Sequence, residues 1–187
     1  MPDLDSTFAA NAILQWSLAL LLIAAVWRDL RWHRIDNGIV LGGIVAALTL
    51  NAIAAGLPGI ASSLGGLAVG LLLLLPFYAR GGMAAGDVKL MAAAGAFLGP
   101  VDAAWATGWS LIAGGVMAFA ILLHGDGLRR GVLATGRQFF DYAMARVWVP
   151  APADSAAARR FPYAAAIAMG CMTVALWRVT HATPVTA

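Results

Sequence analysis

Ile60-Ala-Ser-Ser-Leu-Gly-Gly-Leu-Ala-Val-Gly-Leu-Leu-Leu-Leu-Leu-Pro-Phe-Tyr78 is an apolar stretch with no charged residue. As an α-helix rising 1.5 Å per residue it reaches about 28 Å, enough for the hydrocarbon core of a bilayer. Its apolar residues run continuously instead of alternating, which argues against a β-barrel strand. Ser62, Ser63, Gly65, Gly66 and Gly70 allow a neighbouring helix to approach closely. The stretch predicts an all-α membrane bundle, and composition agrees. The 187 residues are 61% hydrophobic and 11% charged, with a mean hydropathy of +0.82. A soluble domain carries about a quarter charged residues.

Five further apolar segments surround this one. Together they predict a polytopic bundle of about six transmembrane helices, over approximately 8–27, 38–56, 60–78, 87–99, 101–123 and 161–179. Asn11 and Gln15 share a helical face with Asp29, and that face is expected to point into the bundle. Leu57-Pro-Gly59 signals a tight turn. The segment 87–99 is short for a full crossing, which suits a helix sheltered by its neighbours. Residues 124–160 form the one long polar region. Val132, Phe139, Phe140, Ala143 and Val147 recur there at helical spacing, so it is read either as an interfacial amphipathic helix or as a loop broken at Gly136 and Pro150. No internal repeat divides the chain, and 1–187 reads as a single integral-membrane domain.

Charge sets the orientation. There is no Glu, Lys89 is the sole lysine, and the net charge is +3. No basic face is interleaved with stacking aromatics, so nucleic acid is not an expected partner. The lone Cys171 can form neither an intrachain disulfide nor a cysteine-based zinc site. Met1–Ser6 carries Asp3 and Asp5 without a base, unlike a secretory signal. Arg28, Arg31 and Arg34 follow the first span, and Arg80 and Lys89 flank the third turn. Arg129, Arg130, Arg137, Arg146, Arg159 and Arg160 precede the last span, whereas the opposite side has only Arg178. The positive-inside rule then puts the N-terminus outside and these basic loops in the cytoplasm. Asp29 and Asp87 consequently share the cytoplasmic membrane boundary.

Two carboxylates at one depth suit acid/base hydrolysis. Burial and like-charge repulsion make such a pair share a proton, so that one member activates water while the other polarises a carbonyl. Simpler readings stay open for each residue. Asp29 between Arg28 and Arg31 fits an interfacial ion pair. Asp87 after glycines fits a helix N-cap or first-turn acid.

The motifs carry a resemblance. Asp29-Leu-Arg-Trp-His-Arg-Ile-Asp-Asn37 is similar to the first active-site segment of the prepilin peptidases, in which Asp, a basic stretch and an aliphatic residue precede Pro-Asn or Pro-Asp. Ala84-Ala-Gly-Asp-Val-Lys-Leu90 resembles their Gly-x-Gly-Asp-x-Lys motif. Arg160-Phe-Pro-Tyr-Ala164 resembles the Pro-Tyr-Gly that opens their final helix. Two positions depart from the pattern: Ala84 stands at the first motif glycine, and Asp36 stands where proline is usual. Larger members carry an N-terminal cytoplasmic domain with paired Cys-x-x-Cys and a linked methylation activity, and the single Cys171 here provides no such cysteine pairs. It resembles the minimal form associated with Flp-type, or tight-adherence, pili.

The resemblance implies that Asp29 and Asp87 form the catalytic dyad of an aspartic membrane endopeptidase. Such enzymes remove the short basic leader of a pilin-like precursor at the cytoplasmic face of the bacterial inner membrane. The precursor's apolar helix stays in the bilayer, and no metal or other cofactor takes part. Gly86, Lys89, Asp36 and Asn37 are implied as supporting or substrate-binding residues, and Asp36 is an alternative dyad member. Two other readings compete. One is a presenilin-like intramembrane aspartic protease, disfavoured by the juxtamembrane Asp29. The other is a small transporter or assembly subunit using Asp87 for proton or ion binding. His33 reads as a head-group contact, Cys171 as a small core residue, and the tryptophans near span ends as interfacial anchors.

Overall fold

The computed structural model describes residues 4–32, 34–80, 82–124 and 163–181. The region 125–162, with its expected amphipathic helix, lies outside the described residues, as do His33 and Gly81. Among the described residues the chain is all-helical. The helices are α1 (Leu4–Trp32), α2 (Asn37–Ala79), α3 (Ala85–Leu98), α4 (Pro100–His124) and α5 (Tyr163–His181). Three segments, Asn11–Trp32, Asn37–Ala79 and Pro100–Ala120, are long and apolar enough to cross a membrane.

Helix α2 has 43 residues, and a straight helix of that length would be about 64 Å long, twice a hydrocarbon core. It is not straight. Gly56 takes φ 62° and ψ −139°, a conformation that residues with a Cβ avoid, and the helix breaks there. A Cβ built on Gly59 would fall 2.0 Å from the Asn51 carbonyl oxygen. Eight positions along a straight helix would separate these residues by about 12 Å, so the chain doubles back. The turn expected at Leu57–Gly59 thus pivots one residue earlier, on Gly56. Pro58 then falls in the first turn of the second arm, where its missing N–H breaks no helical bond.

The second arm of α2 and the short α3 pack antiparallel through small residues. A Cβ on Gly66 would lie 2.0 Å from the Gly95 carbonyl oxygen, and one on Gly70 would lie 2.5 Å from that of Met91. Backbone therefore meets backbone along this seam. Helix α3 is enclosed, with every residue from Leu90 to Leu98 buried. An apolar helix of 14 residues reaches only about 21 Å, so α3 is a sheltered core element and not a full crossing. Leu74, Leu90, Met91 and Ile167 are the largest apolar side chains that are completely buried, and Phe97 joins them in the core. Large apolar groups such as Trp16, Leu20, Ile53, Trp105 and Val116 point outward, as expected where the solvent is lipid.

Two expectations change. Helix α1 continues past the expected span end at residue 27, through the basic stretch to Trp32, so Asp29 sits in its helical backbone. The Arg28 guanidinium lies 4.7 Å from the centre of the Trp32 ring, an i to i+4 contact that fits a continued helix. Asn11 and Gln15, expected inside the bundle, are exposed and line a cleft beside α5. The face they share with Asp29 is enclosed only from Leu18 onward.

Candidate active site

Antiparallel packing gathers three helix ends. Leu21 of α1 lies against Gly43 of α2, and the Tyr163 ring of α5 lies against Gly114 of α4. The C-terminal turn of α1 and the first turns of α3 and α5 therefore meet at one end of the bundle. Asp29, Asp87, Tyr163 and Ala164 stand there.

Asp87 is the third residue of α3. Its N–H donates to the Ala84 carbonyl at 3.1 Å, closing the first turn, and an acid at this position is favoured by the helix dipole. The N-cap is Ala84, so Asp87 is a first-turn acid and not the cap. Ala84 has φ −77° and ψ 149°, ordinary extended backbone, and is exposed. The absent motif glycine therefore leaves no strain at this position.

Both aspartates are enclosed, Asp29 at 7% and Asp87 at 6% exposure. Charged side chains are almost never this buried unless paired. Asp29 accepts a hydrogen bond on Oδ2 from the Ala164 N–H at 3.3 Å, so the opening turn of α5 offers it a free backbone donor. Asp87 lies outside the three long apolar helices. Burial pushes its carboxyl from 3.8 up to about 7; the Asp29 charge adds to the rise, and a backbone hydrogen bond at Ala84 partly opposes it. The charge of Asp29 thus acts on Asp87 and opposes its ionisation. The charge of Asp87 also acts on the Tyr163 phenol, which donates to the Ser110 carbonyl at 3.2 Å.

The other singled-out residues form a rim. Asp36 is the N-cap of α2, half exposed, and pairs with Arg28. Arg28, one of the two arginines considered as partners of Asp29, thus also pairs with Asp36. At φ −70° and ψ 138° the backbone of Asp36 has a φ that proline also adopts. Lys89 Nζ donates to Asn37 Oδ1 at 3.0 Å, tying α3 to the start of α2. A Cβ on Gly86 would meet the Ile35 Cβ at 3.3 Å, so the space beside this glycine is filled by the chain itself.

Reasoning from sequence did not assign a contact to Tyr163 or Ala164. Their signal was the Phe-Pro-Tyr-Ala run opening the last helix, quoted as a motif without a role. Comparison with curated proteins and with solved structures found no match. Residues 16–123 match the family model described as the type IV leader peptidase family. The match takes in both aspartates and covers more than half of the chain, which therefore belongs to the type IV leader peptidase family of membrane peptidases.

Proposed function

We propose that this protein is a prepilin peptidase, an aspartic endopeptidase that removes the short basic leader of a pilin-like precursor. Asp29 and Asp87 are its catalytic dyad. What carries the reading is the burial of two mutually repelling carboxylates at one end of the bundle, in a chain of the leader peptidase family.

Below about pH 7 Asp87 keeps the shared proton, because burial and the Asp29 charge both oppose its ionisation. Asp29, held by the Ala164 N–H, is the base that takes a proton from the attacking water. Water adds to the scissile carbonyl while Asp87 gives its proton to the carbonyl oxygen. The tetrahedral intermediate then collapses: the C–N bond breaks, the proton gained by Asp29 passes to the departing amine, and a hydroxyl of the intermediate returns its proton to Asp87. Asp36, Asn37, Gly86 and Lys89 support the site as a rim that joins α2 to α3.

In the membrane the bundle has six segments, counting the two arms of α2 separately and α3 as the short sheltered one. The N-terminus is outside, and the dyad faces the cytoplasm at the inner membrane boundary. There the scissile bond lies where the leader meets the apolar helix. The setting is a Flp-type pilus.

The test is co-expression with a pilin-like precursor, following leader removal on a gel. Asp29→Asn and Asp87→Asn should each abolish processing while leaving the protein in the membrane at its normal level. Processing retained in both variants would overturn the dyad.

A further inference from the structure

One large cleft is cut into the wall of the bundle, with a volume of about 1060 Å³. Leu22, Val26 and Leu30 of α1 face Ala168, Cys171 and Ala175 of α5 across it, and Phe97 of α3 lies at its base. Along α1 it extends from Asn11 to Leu30, a rise of about 28 Å, close to the full hydrocarbon thickness. A lipid chain fills one leaflet, about half that length. An apolar helix fills all of it.

The position of the cleft matters as much as its length. Val26 and Leu30 flank Asp29 on α1. On α5, Ala168 stands one turn beyond Ala164, whose N–H is bonded to Asp29. The cleft therefore ends beside residues next to the dyad on both helices, and neither aspartate lines it. The wall of α5 includes the small residues Ala168, Cys171 and Ala175, which let another backbone come close.

The two ends differ in charge. At the dyad end are the buried carboxyl groups of Asp29 and Asp87. At the other end are the amides of Asn11 and Gln15 and the guanidinium of Arg178, which also pairs with Asp102 and donates to the Leu98 carbonyl. A helix has a positive N-terminus and a negative C-terminus with unsatisfied carbonyls. Charge complementarity then allows one orientation, N-terminus at the dyad and C-terminus at Arg178. A leader preceding an apolar helix has that order.

We infer that the α1/α5 cleft holds the membrane-spanning helix of the precursor, N-terminus toward Asp29 and Asp87, and so positions the leader junction for cleavage. This rests on the peptidase reading above and deepens it.

Cross-linking during co-expression tests it. In a Cys171→Ala background, Ile23→Cys and Met172→Cys place thiols on exposed groove positions, and Val45→Cys places one on an exposed site outside the groove. Each is paired with a single cysteine in the apolar helix of a pilin-like precursor and then oxidised. Disulfides from Ile23→Cys and Met172→Cys, and none from Val45→Cys, are expected. Ala175→Trp, remote from the dyad, should also slow processing on the order of tenfold or more by displacing the helix. Groove thiols that fail to cross-link to a processed precursor would overturn the inference and leave the peptidase reading standing. So would disulfides between two copies of the enzyme, or capture of a photoactivatable phospholipid with the precursor excluded. Absence of processing by the unmutated enzyme would overturn both.

Discussion

Asp29 and Asp36 show how little separates a buried acid from a surface one. Both acids lie close to Arg28, yet Asp36 is half exposed and pairs with it while Asp29 is buried beneath α5. Asp87 has the more consequential environment. Below pH 3.8 its carboxyl is protonated whether the chain is folded or unfolded, so it contributes no pH dependence there. Between 3.8 and about 7 the unfolded chain releases the proton and the folded one keeps it, so stability falls as pH rises through that window and levels off above it. Under the proposed mechanism, cleavage should likewise decline as pH rises through about 7, when Asp87 can no longer donate. The infrared carbonyl band of the protonated carboxyl, assigned by its loss in Asp87→Asn, reports the midpoint directly. Asp29→Asn should move that midpoint downward because the repelling charge is gone while burial remains. An unchanged midpoint would mean that the two carboxyl groups do not interact.

At the scale of elements, the seam between α2 and α3 holds Asp87 in place. Alanine at Gly66 would put a methyl 2.0 Å from the Gly95 carbonyl oxygen, and backbone on both sides prevents a local adjustment. The helices must separate, with a loss of about 1–3 kcal/mol, as for other overpacked cores. Thermal unfolding in detergent should show Gly66→Ala melting well below the parent, with leader processing lost alongside. Gly42→Ala is the matched control. Nothing lies within 4 Å of a Cβ there, and helix propensity favours the change by about 1 kcal/mol. Equal melting temperatures for the two variants would show that the seam is not tight. The small residues of this seam were recognisable in the sequence as a helix contact. Their partners Gly95 and Met91 were not, because a Gly/Ala-rich helix presents small groups on several faces and only packing selects one.

The whole molecule has two ends, and the proposed topology assigns each to a side of the membrane. Lys89 and Asn37 lie at the dyad end, while Leu57 lies beside the Gly56 break at the other, 80% exposed. In a Cys171→Ala background, Leu57→Cys should react with a membrane-impermeant maleimide in intact spheroplasts. Asn37→Cys should react only after the membrane is opened. The reverse pattern would place the N-terminus and the dyad on the opposite sides from those proposed.

The sequence by itself determined which segments are apolar helices, that α3 is too short to cross, and that two acids stand at helix ends near the basic loops. These are local properties: hydropathy, length and the sign of nearby charge are carried by neighbouring residues. Tertiary structure alone decided that Asp29 rather than Asp36 is enclosed, that Gly56 is the pivot of α2, and that the first turn of α5 bonds to Asp29. The donor at Ala164 is 135 residues from the carboxylate it serves. No spacing rule reaches that far, because the contact exists only once the packing of α1, α3 and α5 has brought three helix ends together.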